Sequence, residues 1–186
     1  MSCGNVDLGC TKCRLSEKRM RVVPGTGPCD SRIIFVGEAP GKDEDLRGEP
    51  FVGRAGKILD EALREAGVER SQVYISNLVK CRPPANRKPR RDELLACTSL
   101  YLESEIRTVS PLVICALGQT AAEALTRTSL NMDESVGKEF PQTIAARKVR
   151  LFVAYHPAAC LYQRKNLPRF KKTIRACLDA AGLTAP

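Results

Sequence analysis

Residues 32–53 read RIIFVGEAPGKDEDLRGEPFVG. Ile33, Ile34, Phe35 and Val36 form a short, unbroken apolar run of the kind found in a strand buried on both faces. The chain then turns abruptly at Gly37 into a loop of glycine, proline and acidic residues. Gly37-Glu38-Ala39-Pro40-Gly41-Lys42 has the look of a phosphate-cradling loop, but a P-loop needs four residues between its glycines and Ser or Thr after the Lys. Here three residues intervene and Asp43 follows. The carboxylates of Glu38, Asp43, Glu44 and Asp45 would repel a phosphate, so the loop suits a neutral guest.

Three further runs resemble the first: VYISNLV (73–79), PLVICALG (111–118) and VRLFVAY (149–155). Helical patterns lie at 55–66, 91–107, 119–126 and 168–181. Strand alternating with helix predicts an α/β fold with a parallel sheet covered on both sides. No linker or repeat divides the chain, so residues 1–186 read as one domain. In such sheets the ligand sits beyond the carboxyl ends of the strands. Three polar features converge there: the Gly37–Gly41 loop, Asn77, and His156 followed by Pro157. His156 is the only histidine in the chain.

Thirty Lys and Arg stand against 21 Asp and Glu, a net charge of +9. They concentrate in KCRPPANRKPRR (80–91) and YQRKNLPRFKK (162–172). Two basic loops suit a nucleic-acid face or, equally, a solvated surface. No apolar run is long enough to cross a membrane, which predicts a cytoplasmic protein, and no long exposed apolar stretch calls for a dimer. In that compartment the nine cysteines would stay reduced, which makes metal binding the leading reading. Cys10-x2-Cys13, Cys81 and Cys97 lie in or beside polar, loop-like sequence. Cys115 and Cys177 read as small core residues, and Cys3 and Cys29 have no partner at ligand spacing. Four thiolates suit structural zinc and an iron-sulfur cluster alike.

GEAPGKDEDLRGEPFVGRAG (37–56), NLVKCRPPANRKP (77–89) and YHPAACL (155–161), in this order and spacing, resemble the family 4 uracil-DNA glycosylases, the iron-sulfur type. The resemblance extends from Cys10 to the last helical pattern. It implies a three-layer fold, with a four-stranded parallel sheet flanked by helices. It also implies a 4Fe-4S cluster on Cys10, Cys13, Cys81 and Cys97 that pins the N-terminal segment to the loop after the second strand. The implied activity is monofunctional hydrolysis of the glycosidic bond of a flipped-out deoxyuridine, in single- or double-stranded DNA, by a monomer.

Such enzymes extrude the base into a pocket that stacks one face and reads its Watson-Crick edge. By the resemblance, Phe51 stacks on uracil, Asn77 reads N3-H and O4, and the backbone around Glu38 and Ala39 holds another oxygen. His156 donates to O2 as negative charge develops there. Glu44 either orients the water or guards C5 against a thymine methyl. Arg82, Asn86, Arg87, Lys88, Arg90 and Arg91 on one loop, with Arg164 and Lys165 on the other, face the DNA backbone. Relatives carry Leu at the position of Cys160, where a wedge fills the gap left by the extruded base. Here either Leu161 takes that place or the wedge is weak.

Overall fold

In the computed structural model, which describes residues 3–184, the four apolar runs become β1 (Ile33–Gly37), β2 (Tyr74–Asn77), β3 (Val113–Leu117) and β5 (Arg147–Ala154). Every residue of the first three strands is buried. All four strands run parallel, and their registers pair Gly37 with Asn77 and Leu117 with Ala154. The strands therefore end along one edge, and the loops that follow them share one mouth.

The helical patterns form as expected. α2 (Arg54–Glu65) buries Gly56, Leu59, Ala62 and Leu63, and α8 (Leu167–Ala181) buries Phe170, Ile174, Cys177, Leu178 and Ala181. These are the i, i+3, i+4 and i+7 spacings of one helical face. α5 (Gln119–Thr126) follows β3, and a one-turn α6 (Met132–Ser135) comes next in the chain. The 91–107 pattern is realised as α3 (Arg91–Cys97) and α4 (Glu103–Val109), joined through a π-helical turn at Thr98–Leu102. Cys115 and Cys177 are wholly buried in the main core, as their neighbours in sequence suggested.

Three features differ from the sequence reading. First, the sheet has five strands and not four: β4 (Glu139–Ile144) joins the others in the order β2-β1-β3-β5-β4. This extra strand is an antiparallel edge strand paired along β5. Its burial alternates and it contains Pro141, so it lacks the continuous apolar run that marks the inner strands. Its turn is also disguised. Ala145 and Ala146 both adopt positive φ, 52° and 63°, where a two-residue hairpin usually has Asn-Gly.

Second, part of the acidic stretch expected as loop is a short helix, α1 (Lys42–Arg47), closed by Gly48 at φ 78°. Third, Cys3 and Cys29 form a disulfide, correcting the expectation that every cysteine is a free thiol and that these two lack a partner. The two lie 26 residues apart, and only the folded chain brings them together. The Cys3 amide donates to the Tyr74 hydroxyl at 3.2 Å, so the staple lies against β2.

The Ala145-Ala146 turn generates a stability prediction. Left-handed backbone costs an L-residue roughly 1–2 kcal/mol, and Asn and Gly tolerate it best. Ala145→Asn with Ala146→Gly should stabilise the fold by about 1 kcal/mol and raise Tm by roughly 2–4 °C. Calorimetry on the two proteins checks this; an unchanged or lower Tm would show that the turn is not strained.

Candidate active site

The loops beyond β1, β2, β3 and β5 enclose a cleft of about 480 Å³, within the usual range for small-molecule sites. Glu38, Ala39, Glu44, Phe51, Asn77 and His156 all line it, so the structure brings together every residue expected to contact the base.

Gly37 makes the cleft possible. A Cβ at this position would lie 2.4 Å from Asn77 Oδ1 and 2.6 Å from Phe51 Cζ. With no side chain there, both can cross the end of β1. Phe51 itself is held at φ 52°, a conformation uncommon for a non-glycine residue and of the kind that clusters at functional sites. Gly56 explains how this is tolerated. A Cβ at Gly56 would meet the Phe51 carbonyl oxygen at 1.8 Å, so α2 can press directly on the Phe51 backbone only through a glycine.

Glu44 joins the two loops. Its Oε2 accepts from Gly41 N at 3.0 Å, and its Oε1 from Val52 N and Gly53 N at 3.0 and 2.9 Å. Three N–H groups thus bind one carboxylate, and the loop after β1 is tied to the two residues following Phe51.

His156 is the N-cap of α7 (Pro157–Tyr162), with Pro157 in the first turn where a missing N–H costs nothing. Its Nδ1 accepts from Ala158 N at 3.1 Å, which places the proton of the neutral ring on Nε2, at the other edge. The ring centroid is 5.8 Å from that of Phe51, tilted by 32°. Burial pushes the His156 pKa down to about 4, with the Glu44 charge pulling weakly the other way. The imidazole is therefore neutral at pH 7, a hydrogen-bond donor without a full charge.

Asn77 is 2% exposed, and its side-chain oxygen is buried without a hydrogen-bond partner among the described residues. An unmatched buried acceptor costs about 1–3 kcal/mol. This oxygen belongs to a residue of the cleft wall, where a group carrying a donor would satisfy it.

A second, smaller site gathers Cys10, Cys13, Cys81 and Cys97 around one small pocket, closed by Val22, Leu100 and Tyr101. The four expected ligands come from three separate parts of the chain. Burial, with added repulsion from the neighbouring cysteines, pushes the Cys81 thiol up to about 12 and Cys97 up to about 11. Cys10, Cys81 and Cys97 are buried and Cys13 is partly exposed; the raised thiols of Cys81 and Cys97 would ionise beside a cationic centre that compensates their charge. Among the described residues, no three Cys, His, Asp or Glu groups converge tightly enough to hold a single metal ion.

The basic loop reaches the cleft, since Pro83, Asn86 and Arg87 line its rim. Arg87 is bound to buried Glu93 by two bonds, 2.7 and 2.8 Å. That pair anchors the loop to α3, the helix carrying Cys97. Arg82 donates to Asn86 at 2.7 Å. Arg82, Lys88, Arg90, Arg91, Arg164 and Lys165 form no ion pair among the described residues.

Sequence reasoning missed two features of the site. Gly118, at φ 97°, would place a Cβ 2.9 Å from His156 Cβ; it clears the space for the histidine, and Leu117, Gln119 and Thr120 beside it line the cleft. Its signal was a glycine between a buried strand and a helix. The other is Tyr162, 85% exposed at the end of α7. It lies one helical turn beyond the cleft-lining Ala158 and so projects on the same face. Cys160, by contrast, is 2% exposed and turned into the core, and Leu161 is half-buried.

Residues 24–179 match the family described as the Uracil DNA glycosylase superfamily, and the chain belongs to it. A type-4 uracil-DNA glycosylase of Saccharolobus solfataricus is 42% identical over 184 residues, covering 94% of this chain and 84% of the relative. One from Archaeoglobus fulgidus is 38% identical, covering 96% of this chain and 92% of the relative. One from Thermotoga maritima reaches 54% over 112 residues, 60% of this chain and 58% of the relative. Within the superfamily, the chain falls with the type-4 uracil-DNA glycosylases.

The neutral histidine leads to a pH prediction. Unfolded chains bind a proton on imidazole near pH 6.5, whereas folded His156 resists until about 4. Between those values the unfolded state holds more protons, so this contribution to stability is complete above about pH 6.5 and is lost as pH falls toward 4. Because His156 is the only histidine, its ring resonances are unambiguous. They should not shift between about pH 8 and pH 5.5, and a midpoint near 6.5 would contradict the buried environment described.

Proposed function

We propose that this chain hydrolyses the N-glycosidic bond of deoxyuridine in DNA, releasing uracil and leaving an abasic site. The observation that carries the reading is the unpaired Asn77 Oδ1, set in a cleft with one aromatic ring and one neutral histidine. Uracil presents a donor at N3-H and an acceptor at O4, which match the oxygen and nitrogen of that carboxamide. Cytosine reverses both positions and would leave buried groups unmatched. Phe51 stacks on the extruded base.

In the reaction the C1′–N1 bond breaks and its electron pair leaves with uracil, while a water oxygen bonds to C1′ and gives up a proton to solvent, from which the departed uracil anion takes one up. Negative charge moves onto uracil O2. The Nε2–H of His156 donates there, an interaction that strengthens only as the bond breaks and so favours the transition state. Positive charge on the sugar is balanced by the DNA phosphates. Glu44, bound by three N–H groups, serves first to position Phe51 and the Glu38-Ala39 backbone. Its nearest route to the chemistry is to orient the attacking water with its remaining acceptor position.

DNA approaches over Arg82, Lys88, Arg90, Arg91, Arg164 and Lys165, with Asn86 at the rim, while Arg87 shapes the loop. Exposed Tyr162 offers a base a face to stack on as the duplex opens, and Leu161 backs it. The four cysteines are read as ligands of a 4Fe-4S cluster, which would hold the N-terminal segment and the basic loop together. The gathering of these four cysteines around one pocket, together with the resemblance of the motifs to the iron-sulfur type, supports this reading.

The deciding experiment is release of free uracil from single- and double-stranded DNA. Asn77→Asp should cut excision and relax discrimination against cytosine, because a protonated carboxyl matches cytosine N3 and N4. His156→Ala should slow the single-turnover step by roughly 100- to 1,000-fold while binding of uracil-containing DNA is kept. Absence of uracil release from the wild-type protein would overturn the reading.

Protein purified without oxygen should be brown and contain iron. Cys81→Ala or Cys97→Ala should lose the colour, and Cys115→Ala should keep it. Stoichiometric zinc without iron would refute the cluster.

A further inference from the structure

Lys80 is wholly buried, and neither the fold nor the chemistry above has used it. Burying an ammonium is costly unless every proton finds an acceptor. Here all three do: Ser76 Oγ at 2.6 Å, Glu105 Oε2 at 2.7 Å and the Asn77 main-chain oxygen at 2.9 Å. Glu105, also wholly buried, accepts from Ser76 Oγ at 2.7 Å and, through its other oxygen, from Gly25 N at 2.9 Å. The group is closed, with each partner satisfied.

Its position matters more than its strength. The chain leaves the sheet immediately after Asn77, where Leu78 N and Val79 N turn to the Gly37 and Glu38 carbonyls at 2.9 and 3.3 Å. The Asn77 carbonyl points inward, and Lys80 Nζ meets it. That bond helps fix the peptide that aims the Asn77 carboxamide at the cleft. The main chain of Lys80 faces the other site: its N–H donates to Cys97 Sγ at 3.2 Å, and Cys81 is the next residue.

Glu105 arrives by an unusual route. Cys97 and Glu105 are eight residues apart, which on a regular helix offsets them by roughly 80°. The wider π turn at Thr98–Leu102 removes much of that offset, and both residues touch Lys80. Such turns are often found at functional sites. Because a buried ion pair adds little net stability over an apolar replacement, fixed geometry is the property it supplies.

We propose that Lys80, locked by Glu105 and Ser76, is a positioning residue that holds the uracil-reading Asn77 in register with the four-cysteine site. This rests on the reading of Asn77 given above. Lys80 acts through Asn77 and does not touch the base.

The test is the affinity for free uracil, measured by calorimetry on iron-loaded protein. Four proteins are compared: wild type, Asn77→Ala, the paired variant Lys80→Met with Glu105→Gln, and the combination of all three changes. The paired variant removes both charges together and keeps an acceptor for Gly25 N. It should retain its iron and a cooperative melting transition, yet bind uracil at least tenfold more weakly. Adding it to Asn77→Ala should cause no further loss, since the effect passes through Asn77. Unchanged uracil affinity, or losses that multiply, would overturn the proposal and leave Lys80 a purely structural group.

If the paired variant fails to fold, Ser76→Ala decides: a threefold or greater weakening supports the proposal and wild-type affinity overturns it. Wild-type protein that binds no uracil at all would instead overturn the reading of Asn77.

Discussion

The site depends on the absence of a side chain at the end of β1. Gly37 lies under Asn77 and Phe51, at separations that exclude even a methyl group. Parallel strands ending in register give four loops a common mouth, but a mouth alone is not a binding site. The missing Cβ lets a ring and a carboxamide from different loops converge over one strand end. Gly56 and Gly118 repeat the device, one beneath the Phe51 backbone and one beneath His156. Three glycines thus set the three side chains that define the cleft.

The electrostatics follow from the same enclosure. Burial keeps His156 neutral, so the cleft is lined by an imidazole that carries no full charge. The cleft-lining carboxylate of Glu44 accepts from three backbone N–H groups. The one wholly buried lysine is fully paired. Among the described residues, Asn77 Oδ1 is the one fully buried cleft-lining side-chain atom left without a hydrogen-bond partner. A preorganised pocket with a buried open acceptor favours a guest that brings a donor to it.

The N-terminal segment is tied down twice. A disulfide holds Cys3 against Tyr74 of β2, and Cys10 and Cys13 pack with Cys81 and Cys97 beside the basic loop. The two ties bracket the buried Lys80-Glu105 group: the first lies against the Tyr74 and Gly25 side of it, the second against the Lys80 main chain. The basic loop gains rigidity from the same region, through Arg87 and buried Glu93 on α3.

Much of this was legible in the chain. Continuous apolar runs located the four parallel strands, because only strands buried on both faces can dispense with polar residues. Strand-helix alternation fixed the α/β class and put Asn77 and His156 at one edge. The motifs around them resembled a single family, and the cysteine spacing selected Cys10, Cys13, Cys81 and Cys97. What escaped was whatever depends on contacts between distant residues. β4 lacked an apolar run and turned on Ala-Ala instead of Asn-Gly. Cys3 and Cys29 were joined only by the path of the chain. The clamp on Glu44, the burial that neutralises His156 and the acceptors that make Lys80 tolerable all come from backbone groups and packing that carry no residue signature. Sequence determined which elements form and which side chains reach the mouth; tertiary structure decided their ionisation and their open valences, because those are set by neighbours far away along the chain.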